Sequence, residues 1–322
     1  MTSKPDHLER TATEPRDKSL NTVVLQHIEE VNDTARIFRL GIPRDSPPIR
    51  FLPGQWLDVY VPGVEKAGGF TITSTPRDAR LPHTPADGNE SAATPQGGPY
   101  LELAVQKSPE SPSAAYLWRT PVDAILGSEL RVRVGGGFVF PPPGINVRAL
   151  RRVVFVAGGM GVNPLVSMLG SLASAPPPGF EVHFLYSLQD PGRWKRRAQE
   201  MLFVERIARV FREGKIKGRF RMFLTRGGVE GDGAVEQDEE DRGIICGDGD
   251  GEGGRAVIPF CLRRYTVDGD VAEAVGTPVE RRFAVVYVCG VPTMTDEFVA
   301  RLTDRQHGLG MDPHRVLCEK WW

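Results

Sequence analysis

Two glycine-bearing corners carry the chemistry that this chain could perform. The first is Arg152-Val-Val-Phe-Val-Ala-Gly-Gly-Met-Gly-Val-Asn-Pro-Leu-Val-Ser-Met-Leu169. It reads as a buried strand over 153–156, then a turn of Gly158, Gly159, Met160 and Gly161. A helix follows, with Asn163 as its cap and Pro164 as its first residue. Glycines let a backbone come close to a ligand, and a helix start offers unpaired N–H groups and partial positive charge. That combination suits a diphosphate. The spacing departs from G-x-G-x-x-G, because Pro164 stands where the third glycine would fall. The second corner is Val285-Val-Tyr-Val-Cys-Gly-Val-Pro-Thr-Met-Thr-Asp-Glu-Phe298, a buried strand ending at Cys289-Gly290 and then a helix carrying Met294 and Phe298. Both strands carry small residues at their carboxyl ends, the edge at which ligands bind in open α/β sheets. No general acid–base pair and no nucleophilic triad accompanies them. Taken alone, either corner could also be structural.

Taken together, G-G-x-G-x-x-P after one strand and C-G-x-P-x-M after a later one resemble the nicotinamide domain of ferredoxin–NADP reductase-like flavoproteins. The likeness runs over about 20–322, insertions apart, and the C-terminal Leu317-Cys-Glu-Lys-Trp-Trp322 resembles the branch of NAD-binding domain-containing oxidoreductases. The resemblance implies that Gly158, Gly159, Met160, Gly161, Val162 and Asn163 wrap the diphosphate. It also implies that Cys289 and Gly290 lie beside the nicotinamide ring. For Cys289 the alternative is an ordinary buried thiol. Trp322 either covers a flavin until nicotinamide displaces it or closes a domain interface. In the first half, the family's flavin strand has an Arg-x-Tyr-Ser pattern, and Gly68-Gly-Phe-Thr-Ile-Thr-Ser-Thr-Pro76 matches it. Phe70 takes the aromatic position and Thr71 the hydroxyl position, which makes Thr71 and Cys289 the catalytic candidates. Gly68 stands where the phosphate-binding arginine is expected, with Arg77 or Lys66 as substitutes. A second flavin element maps loosely onto residues 111–117. The implied activity is hydride transfer from NADH (NADPH being the alternative) to FAD, then electron delivery to an unidentified acceptor. The competing reading, kept open by Gly68, is a nucleotide-binding sensor or assembly protein without flavin. Asp190 is a candidate ribose-binding acid for NAD, and the cations at 193, 195–197 and 226 favour NADP.

The elements that must position these residues fall into two rhythms. Segments 22–27, 35–41, 55–61, 70–74, 101–106 and 129–134 are short, rich in β-branched and aromatic residues, and separated by Gly and Pro clusters. They predict a small antiparallel Greek-key barrel of the flavin-binding type, with one short helix near 113–119. After Arg151 strands and helices alternate: strand 153–156, helix 164–174, strand 181–187, helix 194–213, strand 220–225, then 267–274, strand 284–289, helix 294–308 and a closing strand 316–318. Alternation predicts a parallel sheet with helices on its faces. The expected layout is a disordered tail over 1–19, a barrel over 20–146 with an insertion at 78–99, and a nucleotide-binding α/β domain over 147–322 with a disordered acidic insertion at 227–255.

Composition bounds the function. The 322 residues suit two domains, and Lys plus Arg (40) against Asp plus Glu (41) give a net charge of −1, which lends no support to nucleic-acid binding. The four cysteines have neither zinc nor iron–sulfur spacing, so any one-electron relay is expected on a separate molecule. No apolar run reaches the roughly 20 residues of a membrane span. The acid-bearing N-terminus resembles neither a secretory signal nor a mitochondrial presequence, so a soluble intracellular protein, cytoplasmic rather than mitochondrial, is expected.

Overall fold

The computed structural model describes residues 6–80, 98–225, 243–246 and 256–320. The chain divides into two units, Met1–Phe140 and Pro141–Trp322. The boundary lies earlier than the expected 146/147. Phe138, Val139 and Phe140 are buried, and the Phe140 N–H donates to the Pro53 carbonyl (3.0 Å), which holds this stretch to unit 1.

Unit 1 contains α1 (His7–Arg10), β1 (Asn21–Asn32), β2 (Ala35–Gly41), β3 (Trp56–Tyr60), β4 (Gly68–Thr71), β5 (Tyr100–Gln106), α2 (Pro112–Leu117) and β6 (Glu129–Gly135). The strands form one six-stranded sheet in the order β4-β3-β6-β1-β2-β5, all antiparallel. Its end strands meet through a single bridge, Ile72 to Leu103, beside the Thr73 N–H to Glu102 carbonyl bond (2.8 Å). The expected antiparallel sheet is present, and a full ladder closing it into a barrel is not. Alternation sends Val23, Leu25, Leu57, Val59, Leu103 and Val132 into one core.

Trp56 and Asp58 point the other way on β3, yet both are buried. The cover is the segment 6–17, and the expectation of a disordered tail over 1–19 is corrected for its described part. His7 Nε2 lies 2.9 Å from Asp58 Oδ1, and its ring meets Trp56 edge-on at 4.8 Å. Gly69 must lack a side chain here, because a Cβ would fall 2.1 Å from the His7 ring. Arg16 donates to Asp58 Oδ2 (3.1 Å), as does Arg133 (2.8 Å). Backbone bonds from Asp17 to Val134 (2.8 Å) and from Gly136 to Pro15 (2.9 Å) continue the β1–β6 pairing. Charge made the segment look solvated, but a carboxylate with no exposed surface gathers that charge inward.

Unit 2 contains β7 (Arg152–Gly158), α3 (Val162–Ala173), β8 (Glu181–Gln189), α4 (Val204–Arg212), β9 (Gly218–Thr225), β10 (Gly243–Cys246), β11 (Ala256–Cys261), α5 (Ala272–Val275), β12 (Ala284–Gly290), α6 (Pro292–Thr303) and β13 (Val316–Lys320). The seven-stranded sheet runs β10-β11-β9-β8-β7-β12-β13, parallel except for the β10–β11 pair. The helix expected over 194–213 is broken. Phe203 takes a left-handed φ of 60°, and only Val204–Arg212 continues as helix. The 267–274 stretch is a π-turn running into α5. The acidic insertion is not wholly a spacer, since Ile244 and Cys246 are buried in β10, against β11. Residues 81–97 and the remainder of 227–255 lie outside the described residues.

Asp58 supplies a test. Burial alone would raise its carboxyl, but hydrogen bonds from His7 and Arg133 and the charge of Arg16 outweigh this and hold it below its ordinary value of 3.8. The carboxylate therefore adds stability in full above about pH 4, lost as pH falls through the lower folded value. Asp58→Ala strands the groups around it and is expected to cost ~3–5 kcal/mol in urea unfolding at pH 7. The gap between wild type and variant should narrow below about pH 4; a gap independent of pH would show that Asp58 does not hold the segment electrostatically.

Candidate functional site

In unit 2, β7 ends at Gly158 and passes through a 3₁₀ turn, Gly159–Gly161, directly into α3. The helix cap is Gly161, with φ −62° and ψ −6°, and no side chain caps the helix. Asn163 and Pro164 therefore lie inside the first turn rather than at the cap and first position. Gly161, the residue at the cap position, already has right-handed helical angles and no side chain, so the extended, side-chain-bearing residue that capping needs is absent there. The start of α3 has no side-chain cap, the Val162 N–H donates to the turn before it, and the partly exposed backbone of Gly158, Gly159 and Met160 is the part open to an anion.

The two sequence corners meet here. A Cβ on Gly161 would sit 2.1 Å from the Cys289 carbonyl oxygen, so only glycine lets the turn pack against the end of β12. Gly158 and Gly290 approach through a shared neighbour. Cβ atoms on them would lie 2.7 and 3.0 Å from Met294 Sδ, whose side chain rises from the first turn of α6. Gly159 differs: it has open space beside it and is required by its left-handed φ of 54°. Tyr265 supports the corner from below, donating to the Ala157 carbonyl (3.0 Å) and packing edge-on against Phe223 and Phe298. Burial holds its phenol well above the ordinary value, so it stays a donor.

Among the expected diphosphate residues, Gly158, Gly159 and Met160 are partly exposed, while Gly161, Val162 and Asn163 are buried. Cys289 has no exposed surface, so its thiol lies within the packed sheet and its carbonyl is the part that reaches the turn. Gly290 is also buried and pairs with Lys320 in the β12–β13 ladder. Trp322 and Arg226 lie outside the described residues. Asp190 is already engaged: Arg196 donates to its two oxygens at 3.0 and 2.7 Å, and the Gly192 N–H donates at 3.1 Å. Sequence reasoning missed Tyr265 as a support of the corner and Arg196 as the partner of Asp190. The C-G-x-P-x-M spacing was the one available signal, and it marked Met294.

In unit 1, Phe70 is half-buried against the core and Thr71 is buried. Thr71 Oγ1 has no hydrogen-bond partner among the described residues, a costly state that a ligand heteroatom would relieve. Gly68 supplies no charge, and a Cβ there would lie 2.7 Å from Phe70 Cε2 and 2.7 Å from Ser113 Cβ. The residues present thus fit a flavin ring and do not fit the family's phosphate contact. Among the described residues, no helix is long and apolar enough to cross a membrane, and no group of three or more His, Cys, Asp or Glu is placed to hold a metal ion.

No family model matches the chain. It is 29% identical over 333 residues to oxidoreductase NAD-binding domain-containing protein 1 of Danio rerio, covering 100% of both chains. It is 28% identical over 329 residues to the Bos taurus protein of that name, covering 99% of this chain and 86% of that one. Among solved structures it is similar in fold to a ferredoxin NADP+ reductase from Neisseria gonorrhoeae with bound FAD and NADP. There the TM-score is 0.58 at 14% identity, over 95% of this chain and 100% of that one.

The packing of the corner yields a double-mutant test. Gly158→Ala is expected to cost ~1–3 kcal/mol by overpacking, and the cost should shrink in a Met294→Ala background, where the sulfur is gone. Gly161→Ala faces a backbone carbonyl and should find no such relief. Urea unfolding of the single and double variants decides it. Strict additivity of Gly158→Ala and Met294→Ala would remove the sulfur from this contact.

Proposed function

We propose, from the premise that this chain belongs to the ferredoxin–NADP reductase-like flavoprotein superfamily, that it is an NAD(P)H-dependent flavin oxidoreductase passing electrons to a separate acceptor. The observation that carries the reading is the meeting of β7 and β12 through Gly158, Gly161 and Gly290, because it builds one side-chain-free edge from two distant motifs. The partly exposed Gly158–Met160 backbone, just before α3, holds the diphosphate. The end of β12, where Gly290 lets Met294 pack close and Cys289 reaches the turn through its backbone, lies beside the nicotinamide. In unit 1, Phe70 packs on the flavin ring, and Thr71 Oγ1 donates or accepts one hydrogen bond at its edge. When bound, the nicotinamide supplies a hydride and the flavin takes it and releases electrons onward.

The chain accepts NADH and NADPH in this reading. Asp190 is neutralised by Arg196, so it neither claims a ribose hydroxyl nor repels a 2′-phosphate. A sensor without flavin is the second reading, and Gly68 is the observation behind it.

Both readings meet one experiment. Purified full chain is mixed anaerobically with excess flavin and either NADH or NADPH, and the flavin absorption band is followed. Bleaching that depends on the protein supports the oxidoreductase, and a band unchanged with every flavin and both nucleotides favours the sensor. The turn is tested separately by titration. Gly159→Val forces a β-branched residue to a positive φ and should weaken NADH binding by about tenfold or more in a chain that still folds. Unchanged affinity would move the nucleotide elsewhere.

A further inference from the structure

We propose that this chain recognises the flavin through its ring system and that β4 and the start of α2 supply no phosphate clamp, so that riboflavin, FMN and FAD bind on near-equal terms. The inference rests on the reading above, in which Phe70 and Thr71 hold the ring.

Three observations converge on it. Gly68 and Phe70 lie on the same side of β4, by the alternation of a strand. The Phe70 ring and the first turn of α2 stand 2.7 Å from where a Gly68 Cβ would be, so the path of an arginine side chain is already filled. This glycine is a packing choice, and charge cannot be restored there without moving both neighbours.

Several polar groups around Gly68 are also engaged within the protein. Ser113 Oγ donates to the Lys66 carbonyl (3.1 Å), and Ser111 Oγ accepts from the Ala114 N–H (3.5 Å). Pro112 brings no N–H to the start of α2. Lys66 Nζ is bound to Asp6 (3.0 Å), the residue that caps α1.

The ring end is different. Thr71 Oγ1 is buried with no hydrogen-bond partner among the described residues, and Phe70, its neighbour in sequence, is half-buried. A ring system needs apolar surface and a few placed polar contacts, and this strand offers both. A phosphate needs cations or converging N–H donors. Lacking one charge-assisted contact changes affinity by about tenfold or more. Without that contact, the phosphate of FMN and the longer tail of FAD add little. Arg77 is the neighbouring cation that could reverse this. It follows Pro76 on the turn where Asp78 accepts from the Thr75 N–H and hydroxyl at 2.7 and 2.8 Å.

The test is calorimetric titration of the full chain, stripped of bound flavin, with riboflavin, FMN and FAD separately. The three dissociation constants are expected within about threefold of one another. They should keep that spread in Arg77→Ala. FMN or FAD binding tighter than riboflavin by about tenfold or more overturns the proposal. Loss of that preference in Arg77→Ala would then place the clamp at Arg77, and its persistence would place it elsewhere. Failure of the underlying reading looks different. Either none of the three flavins binds, or all three bind with affinities unaffected by Phe70→Ala and Thr71→Val. Both of those outcomes remove the flavin from β4 and the proposal with it.

Discussion

The constraint on which unit 2 depends is the separation of β7 from β12 at their carboxyl ends. The strands are neighbours in a parallel ladder from Ala284 and Arg152 to Cys289 and Ala157. Beyond that ladder the chain must turn and start α3 without leaving the neighbouring strand. Gly161 makes this feasible, because any Cβ would overlap the Cys289 carbonyl. The consequence is chemical as well as steric. A corner without side chains exposes backbone, and backbone N–H groups at a helix start are the donors an anion requires. Met294 fills the one gap left between Gly158 and Gly290, so the edge is open above and packed beneath.

Unit 1 depends on a constraint of the opposite kind. There a charge is buried, and the structure around it exists to keep it satisfied. Asp58 sits in the middle of β3 with no exposed surface, between the core residues Leu57 and Val59. An isolated carboxylate in that position would be expelled or protonated. Three donors from separate parts of the chain (His7, Arg16 and Arg133) prevent this, and two of them come from the segment before β1. The segment is held by the carboxylate as much as it covers it.

Local pattern made much of this legible. β2 was expected and found at residues 35–41, and β5 and β6 differ from expectation by one residue at one end. Their alternation is set by one buried face and needs no information from elsewhere. The paired glycine motifs singled out Gly158, Gly161 and Gly290, and the structure packs Gly161 against the end of β12. What failed was everything decided by a distant partner. The segment 6–17 carries a legible helix start in Asp6 and Glu9, a reciprocal capping box. Nothing local shows that Asp58 waits for His7. β10 was read as part of a disordered insertion because its apolar run is only the three residues Ile244-Ile245-Cys246, and β11 escaped notice. Pairing with each other makes both stable. The Asn163 cap was a sound local inference, overridden by a turn that had already become helical.

The same limit explains why charged residues misled more than apolar ones. An apolar residue on a strand has one destination, and its neighbours in sequence announce it. A charged residue has two, solvent or a partner, and sequence does not distinguish them. Asp190 looked available to a ribose, yet Arg196 grips both its oxygens. Lys66 looked available to a phosphate, yet Asp6 holds it. Each pairing withdraws a charge from the candidate ligand surface and leaves backbone, ring faces and a hydroxyl to do the recognising. Backbone donors suit a diphosphate without regard to what lies beyond it, and Thr71 with Phe70 suits a ring without regard to its tail. In the function proposed above, a site assembled this way is selective for the reacting ends of its ligands and tolerant of their handles.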